Sequence, residues 1–452
     1  MKKSAAIKVR KIRTNFLVQK SCLGAARSHL VKVRANKNYL LELRNTPSLS
    51  TQPLGQPLPK PIVLIAEELS PATLEALGPD FEVRNVDGAD RSALLPALAE
   101  ANAVLIRSAT KMDAEAMAAA PKLKVIARAG VGLDNVDIKA ATKAGVMVVN
   151  APTSNIISAA ELAIGQILAL SRHIPDGNAS LKQGLWKRSQ YTGVELYEKT
   201  IGIIGLGRIG TLVAQRLSGF GVTLIGYDPY VTQGRAEQIG VELCDIETLM
   251  KRADYITIHI PKTAETTGMI STNEFAMAKP NLRIVNCSRG GIIDETALYE
   301  ALKSNQIAGA GLDVFVNEPP VGSPLLTLDN ILVTPHLGAS TDEAQEKAGI
   351  SVARSVRLAL AGDLVPDAVN VAGGEIDASV KPGIGLAEKL GMIIAGLAHT
   401  SIVSVEFEAR GEIAAHDVTV LKLAALKGLF QTMVTEQVSY VNAPLMAEQR
   451  GV

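Results

Sequence analysis

Several features that mark other classes of protein are scarce in this 452-residue sequence. No uncharged apolar run reaches the length of about 18–20 residues that spans a bilayer, so we expect no membrane partner. The only cysteines are Cys22, Cys244 and Cys287, and their scatter predicts neither a disulfide framework nor a metal site. So few and so scattered cysteines fit a protein of a reducing compartment. At 47% apolar, the chain can still fill the cores of roughly two to four domains.

Acidic residues are almost absent from residues 1–60, which carry 13 Lys or Arg and a single acid, Glu42. Because the whole chain has a net charge of +1, the other 392 residues carry −11. Such a segment is typical of a transit peptide, which would place the protein in an organelle, or of an unstructured tail. Aromatic residues that could stack on bases are limited to Phe16 and Tyr39, so no nucleic-acid partner is expected. We predict a disordered, non-catalytic extension that ends in the proline-rich stretch 53–61, and a cytoplasmic location.

From Pro61 onward, short apolar strands alternate with helical segments. This alternation predicts an α/β protein with parallel sheets that are covered on both faces. The predicted strands are 62–66, 104–107, 125–128, 146–150, 200–204, 223–227, 255–259, 283–287, 309–314 and 330–333, with a half-exposed strand over 401–408. Long helices are predicted over 158–172 and 341–360, and another begins at Ser70-Pro71.

The most informative pattern is a glycine-rich turn between one of these strands and a helix. Gly205 is expected to permit the tight turn, Gly207 to let the backbone approach a pyrophosphate, and Gly210 to let the helix pack closely on the strand. The helix that opens at Arg208 points free N–H groups at the anion. Asp228 ends the next strand, where a carboxylate accepts the ribose hydroxyls of NAD and repels a 2′-phosphate. The predicted cofactor is therefore NAD.

Hydride transfer from a secondary alcohol to NAD needs three protein groups: a cation for the substrate, a base for the hydroxyl proton and an acid that holds the base. Candidates follow strands of the nucleotide-binding half, at the carboxyl ends where ligands bind in open α/β sheets. Arg289 lies in NCSRGG, Glu318 precedes two prolines, and His336 lies in TPHLGA. These residue types are also common in surface loops, so their assignment depends on the longer pattern around them.

Long segments between residue 61 and about residue 369 resemble the D-isomer-specific 2-hydroxyacid dehydrogenase family. The matching segments are the glycine turn, VLIRSATK (104–111), ARAGVGLDNV (127–136), NCSRGGIID (286–294), GLDVFVNEP (311–319) and PHLGAST (335–341). In that family the arginine, glutamate and histidine of these segments are catalytic, which implies the same for Arg289, Glu318 and His336. The resemblance implies that His336 is the general base, that Glu318 holds its imidazole, and that Arg289 holds the substrate.

The resemblance also implies contacts with substrate and cofactor. Arginines suit a phosphorylated acid, because the guanidinium fork binds phosphate at two points. The residues implied to bind substrate are Arg107, Arg128, Gly130, Val131 and Arg289. Besides the three glycines and Asp228, those implied to bind NAD are Val131, Arg208, Ile209, Ile260, Cys287, Ser288, Asp313, His336, Leu337, Gly338 and Ala339.

The architecture that the resemblance implies consists of two doubly wound, Rossmann-like lobes with the active site in the cleft between them. Residues 61–151 and 341–369 would form a discontinuous substrate domain, and residues 152–340 would form the NAD domain. Closure of the lobes would exclude water. The family also implies a homodimer or homotetramer, with the region of the single tryptophan, Trp186, as the expected contact.

Residues 370–452 resemble only the first part of an α+β intervening domain, which in long members of the family precedes a small regulatory domain. The sequence leaves open whether the chain has its natural C-terminus or is truncated. Serine feedback inhibition through such a domain is not expected to carry over.

The activity that the resemblance implies is the oxidation of 3-phospho-D-glycerate to 3-phosphohydroxypyruvate with NAD, the first step of L-serine synthesis. The alternatives are a dehydrogenase for another acid, such as one that reduces 2-oxoglutarate, a non-enzymatic NAD-sensing corepressor of the same fold, and an inactive truncated chain. Arg107 and Arg128 favour the enzyme over the corepressor, which has no need of phosphate-binding cations there.

Overall fold

The computed structural model describes residues 59–363, 365–371, 376–398 and 402–452, and three strands that precede them. These strands are β1 (Ser4–Val9), β2 (Asn15–Gln19) and β3 (Leu30–Val33). They form an antiparallel sheet, in which β1 also pairs with the strand Val405–Ala409. In these three stretches the structure differs from the predicted disorder, because β1 satisfies backbone groups at a strand edge that would otherwise be open. The rest of residues 1–58 lies outside the described residues, and disorder there stays a prediction.

The chain divides into two compact units, one of residues 1–152 with 346–452 and the other of residues 153–345. The predicted limits of the NAD domain, 152 and 340, lie one and five residues from those of the second unit. Residues 370–452, predicted as a separate domain, are grouped with the first unit but have a hydrophobic core of their own.

The first unit contains a five-stranded parallel sheet in the order β5-β4-β6-β7-β8. Alternate residues of its strands enter two different cores, one on each face, as in Val63 and Leu64. The sheet is therefore covered on both sides, as predicted. Its strands and helices are β4 (Ile62–Ile65), α1 (Pro71–Leu77), β5 (Glu82–Asn85), α2 (Arg91–Leu98), β6 (Ala103–Ile106), α3 (Ala114–Ala118), β7 (Val125–Arg128), α4 (Ile138–Lys143) and β8 (Met147–Val149).

The second unit contains a seven-stranded parallel sheet in the order β11-β10-β9-β12-β13-β14-β15. The strand order reverses between β9 and β12, which is the crevice where doubly wound sheets bind dinucleotides. Its elements are α5 (Ile156–Arg172), α6 (Ile174–Lys182), β9 (Thr200–Ile204), α7 (Arg208–Leu217), β10 (Thr223–Tyr227), α8 (Gln233–Gln238), β11 (Glu242–Leu243), α9 (Ile246–Arg252), β12 (Tyr255–Ile258), α10 (Thr272–Ala276), β13 (Arg283–Asn286), α11 (Glu295–Lys303), β14 (Gly309–Leu312) and β15 (Ile331–Val333).

The C-terminal part of the chain is mainly helical, with α12 (Asp342–Ala361), α13 (Ile384–Leu397), β16 (Val405–Ala409), α14 (Thr419–Gln431) and α15 (Ala443–Gln449). Helix α12 contributes Val352 and Val356 to the core of the first unit. Helices α13 and α14 pack at two glycines: a Cβ at Gly428 would lie 1.9 Å from the carbonyl oxygen of Glu388, and one at Gly391 would lie 2.1 Å from that of Ala425. Only glycine allows backbones to approach so closely.

Two residues of the C-terminal part are hydrogen-bonded to β8 and to the turn before it. The side chain of Asn370 accepts from the N–H of Val148 at 2.9 Å and donates to the carbonyl of Val146. The hydroxyl of Ser439 donates to the carbonyl of Gly145 at 2.9 Å. Within the described part of the chain, no helix has the length and apolar character that crossing a membrane requires.

Candidate active site

The glycine turn has the conformation that the sequence predicts. Gly205 has a φ of +92°, and a Cβ there would lie 2.6 Å from the carbonyl oxygen of His259 and equally close to a methyl of Ile260. A Cβ at Gly210 would lie 1.9 Å from the carbonyl oxygen of Gly205, so the helix packs directly on the turn. Gly207 faces open space instead, which leaves its side of the loop accessible to a pyrophosphate.

Helix α7 begins with Arg208 and Ile209, immediately after this open position. The first N–H groups of a helix have no intrahelical acceptor, and the helix dipole favours an anion beside them. Asp228 lies at the end of β10, where one carboxylate oxygen accepts from the N–H of Leu206 at 2.8 Å and the other from that of Tyr230 at 2.9 Å. Each oxygen keeps a further lone pair for a ribose hydroxyl. The turn, the helix and the carboxylate therefore fit NAD.

His259 lies at the end of β12, on the other side of the same crevice. Burial lowers the pKa of its imidazole to about 4, so the ring is neutral at neutral pH. Its Nε2 lies 2.9 Å from the hydroxyl of Thr257. The sequence prediction did not include His259, although its place at the carboxyl end of a strand beside the glycine turn was a usable signal.

The central pair of the candidate site is Glu318 and His336. Nδ1 of His336 lies 2.7 Å from one carboxylate oxygen of Glu318. The other oxygen accepts from the N–H of Phe315 at 3.0 Å, which fixes the carboxylate. These residues border a mainly apolar cavity of about 420 Å³. The structure thus brings together two of the three predicted catalytic residues with the geometry of an oriented base.

His336 has a left-handed backbone, with a φ of +54°, which is unusual for a residue other than glycine. Asp313 stabilises this loop. Its carbonyl accepts from the N–H of His336 at 2.9 Å, and its wholly buried carboxylate accepts from the N–H of Leu337 at 2.7 Å, the N–H of Gly338 at 2.8 Å and the hydroxyl of Thr334 at 2.5 Å. Burial raises the pKa of the Asp313 carboxyl, while the three hydrogen bonds oppose that rise.

Asp313 therefore has a role that the sequence did not predict, since it holds the loop of His336. The contact with NAD that the resemblance implies for Asp313, and for Leu337, Gly338 and Ala339 in the same loop, stays a prediction.

Arg289 lies in the loop after β13. The amide of Asn286 donates to the carbonyl of Arg289 at 2.9 Å, and its oxygen accepts from both the N–H and the hydroxyl of Ser288. Nη1 of Arg289 donates to the carbonyl of Ser288 at 2.7 Å. Cys287 precedes them, and burial raises the pKa of its thiol, so the thiol stays protonated. The side chains of Asn286, Ser288 and Arg289 therefore order this loop.

The other predicted substrate residues belong to the first unit. Arg107 follows β6 and Arg128 ends β7, on adjacent parallel strands. A Cβ at Gly130 would lie 2.4 Å from Nη1 of Arg128, so the glycine makes room for the guanidinium. The N–H of Gly130, a residue that the resemblance implies to bind substrate, donates to the carbonyl of Arg128 at 2.8 Å. The carbonyl of Val131 accepts from Asn150 at 2.6 Å.

Two further residues of the first unit contact the loop that carries Arg107. The carboxylate of Glu67 accepts hydrogen bonds from the loop after β6, and the amide of Asn135 donates to two carbonyls of that loop. Sequence reasoning missed both residues. Glu67 is a charged residue directly after a buried strand, and Asn135 lies in the matching segment ARAGVGLDNV, so either signal was available.

Two described protein families match separate parts of this chain. Residues 164–338 match the family described as D-isomer specific 2-hydroxyacid dehydrogenase, NAD binding domain, and residues 379–452 match the D-3-phosphoglycerate dehydrogenase intervening domain. The D-3-phosphoglycerate dehydrogenase of Mycobacterium tuberculosis is 55% identical over 392 residues, which are 87% of this chain and 74% of that protein. The one of Methanocaldococcus jannaschii is 46% identical over 86% of this chain and 75% of that protein.

A solved structure with bound cofactor has a similar fold. The NAD-dependent formate dehydrogenase from Staphylococcus aureus in complex with NAD matches with a TM-score of 0.59 at 32% identity, over 66% of this chain and 94% of that one.

Proposed function

The chain belongs to the D-3-phosphoglycerate dehydrogenase family, and we propose that it oxidises 3-phospho-D-glycerate to 3-phosphohydroxypyruvate with NAD, the first step of L-serine synthesis. The observation that carries this proposal is the contact of 2.7 Å between Glu318 and Nδ1 of His336. A base whose second nitrogen is fixed by a carboxylate is the arrangement that removes a proton from an alcohol.

The proposed reaction assigns one task to each residue of the second unit. His336 takes the proton of the substrate's 2-hydroxyl at Nε2, since Nδ1 is held by Glu318. The carboxylate of Glu318 stabilises the imidazolium that results. Arg289 holds the carboxylate of the substrate and polarises the oxygen that becomes a carbonyl. The glycine turn and Asp228 would hold NAD, which would supply the acceptor for the hydride of carbon 2.

Arg107 and Arg128 are proposed to bind the phosphate of the substrate. An arginine binds phosphate at two points, and a site built for such a group discriminates against a substrate that lacks it. An enzyme that acts as proposed therefore favours 3-phosphoglycerate over unphosphorylated glycerate. The alternative substrate is tested with 2-hydroxyglutarate, the reduced form of 2-oxoglutarate.

The test is the rate of NADH formation with each of these three acids. We expect kcat/KM to be highest for 3-phosphoglycerate, and Arg128→Ala to remove most of its advantage over D-glycerate. The control is Arg84→Ala, because Arg84 lies in the same sheet but pairs with Glu82 and Glu100 at the exposed surface. Equal rates with the phosphorylated and unphosphorylated acids would contradict the substrate assignment.

We also propose a homodimer or homotetramer with a contact around Trp186. Trp186 is 81% exposed, and the neighbouring Leu181 and Leu185 are exposed as well, which is unusual for large apolar side chains so close together. Light scattering, together with the fluorescence of this single tryptophan on dilution, tests the proposal: a monomer with unchanged emission would refute it. A cytoplasmic location remains a further proposal, with an organelle as the alternative outcome of cell fractionation.

A further inference from the structure

The loop that carries Arg107 is held by one carboxylate. Oε1 of Glu67 accepts from the N–H of Arg107 at 2.7 Å, the N–H of Thr110 at 2.9 Å and the hydroxyl of Thr110 at 2.8 Å. Oε2 accepts from the N–H of Ala109 at 3.1 Å. Four donors of a four-residue loop therefore converge on a single side chain, which follows the neighbouring strand β4.

The carbonyls of the same loop are held by a second residue. The amide nitrogen of Asn135 donates to the carbonyl of Arg107 at 2.7 Å and to that of Thr110 at 2.6 Å. The backbone of Asn135 also accepts from the N–H of Met112 at 2.8 Å. Because Asn135 belongs to the loop after β7, these bonds connect the loop of Arg107 with the loop that follows Arg128.

Packing leaves the loop little freedom to move. Thr110 is completely buried, and a Cβ at Gly88 would lie 2.0 Å from its hydroxyl oxygen. Glu67 and Arg107 line the same cavity of about 640 Å³, which also includes the exposed carboxylate of Glu68. Ionised acceptors form stronger hydrogen bonds than neutral ones, so replacing the Glu67 carboxylate weakens several bonds to the loop together.

We propose that Glu67 and Asn135 are positioning residues for substrate recognition, which fix the backbone of Arg107 so that its guanidinium meets the substrate in one orientation. This inference rests on the proposed function, because it assigns Arg107 to the substrate. Neither residue touches the reacting atoms. Their loss is expected to weaken binding of the substrate in the ground state and the transition state alike, which raises KM and leaves kcat nearly unchanged.

The test compares Glu67→Gln and Asn135→Asp with Glu68→Gln. In Glu67→Gln, an NH2 group faces an N–H donor of the loop, so that hydrogen bond is lost. In Asn135→Asp, a carboxylate oxygen faces two carbonyls in place of the NH2 group that bonded them. Glu68→Gln removes the same charge from the same cavity without contact to the loop. With 3-phosphoglycerate, we expect KM to rise about tenfold in the first two variants, kcat to stay within about threefold, and the control to behave as wild type.

Two further readouts separate positioning from a general structural role. The ratio of kcat/KM for 3-phosphoglycerate over D-glycerate should fall, whereas the affinity for NADH measured by fluorescence should not change. Glu67→Asp keeps the carboxylate, so its ratio should lie between those of Glu67→Gln and wild type. If Glu67→Gln does not fold, Glu67→Asp is compared with wild type instead.

An unchanged KM in Glu67→Gln and Asn135→Asp, or an equal loss of kcat/KM with 3-phosphoglycerate and D-glycerate, would overturn the inference. If wild type itself bound NADH but did not oxidise 3-phosphoglycerate, the proposed function would fail instead, and the two failures are thus distinguishable.

Discussion

Replacing Asp313 by asparagine tests how His336, the proposed base, is held in place. The carboxylate of Asp313 receives three hydrogen bonds from the loop of His336, and the side chain is wholly buried. In Asp313→Asn, an NH2 group replaces one of the accepting oxygens, so at least one donor, such as the N–H of Gly338, is left without an acceptor. A buried donor without a partner costs about 1–3 kcal/mol.

The loop can avoid this cost by moving away from residue 313, and His336 would move with it, because its left-handed backbone is bonded to the same residue. A displacement of the base by about 1 Å lowers a catalysed rate on the order of 100-fold. We therefore expect kcat for 3-phosphoglycerate oxidation to fall by about 10- to 100-fold, and the free energy of unfolding to fall by about 1–3 kcal/mol.

The assay is steady-state NADH formation at saturating substrate and NAD, with urea unfolding of the same samples. The matched control is Asp329→Asn, which removes one charge from an exposed position of the same unit and should change neither quantity. Wild-type kcat together with wild-type stability in Asp313→Asn would refute the role of Asp313.

The pH dependence of stability gives a second readout of the same residue. Burial raises the pKa of Asp313 above its value in the unfolded chain, so the folded state binds a proton more tightly at this site. The stability that this site contributes is present below the unfolded pKa of about 3.9 and is lost as the pH rises through the folded pKa. In Asp313→Asn, the free energy of unfolding should not show this decrease with rising pH.

Two other substitutions test the remaining parts of the account. Glu318→Gln should lower kcat by about 10- to 100-fold, because the base loses the carboxylate that fixes its Nδ1; a wild-type kcat would argue against the pair. Gly428→Ala should destabilise the α13–α14 pair by about 1–3 kcal/mol, because its Cβ would lie 1.9 Å from the carbonyl oxygen of Glu388. Gly396→Ala, whose Cβ meets nothing within 4 Å, is the matched control in thermal unfolding; equal melting of the two variants would contradict the close packing.

The parts of the fold that depend on hydrophobic pattern and glycine chemistry could be predicted from the sequence. The strand before Gly205 and the helix that opens at Arg208 lie where they were expected. Residue 205 must be glycine because its φ is positive, and residue 210 must be glycine because the backbone of the turn lies so close to it. Such local constraints can be recognised in the sequence.

The support of the site could not be predicted in the same way, because it depends on residues that are distant in the sequence. Glu67 contacts a loop 40 residues further along the chain, and the carboxylate of Asp313 turns to a loop more than 20 residues away. The position of such a carboxylate directly after a strand is a signal for function, but the local pattern does not show which distant loop the carboxylate contacts. The pairing of β1 with β16, between segments at opposite ends of the chain, leaves no local signal either.

The most direct measurement of the central claim is NADH formation from 3-phosphoglycerate by wild type and by His336→Asn, with NADH binding measured for both. The account predicts that wild type forms NADH, that the asparagine variant loses at least about 1000-fold in kcat, because it removes the base, and that both bind NADH equally. Substantial NADH formation by His336→Asn, or none by a wild-type chain that binds NADH, would contradict it.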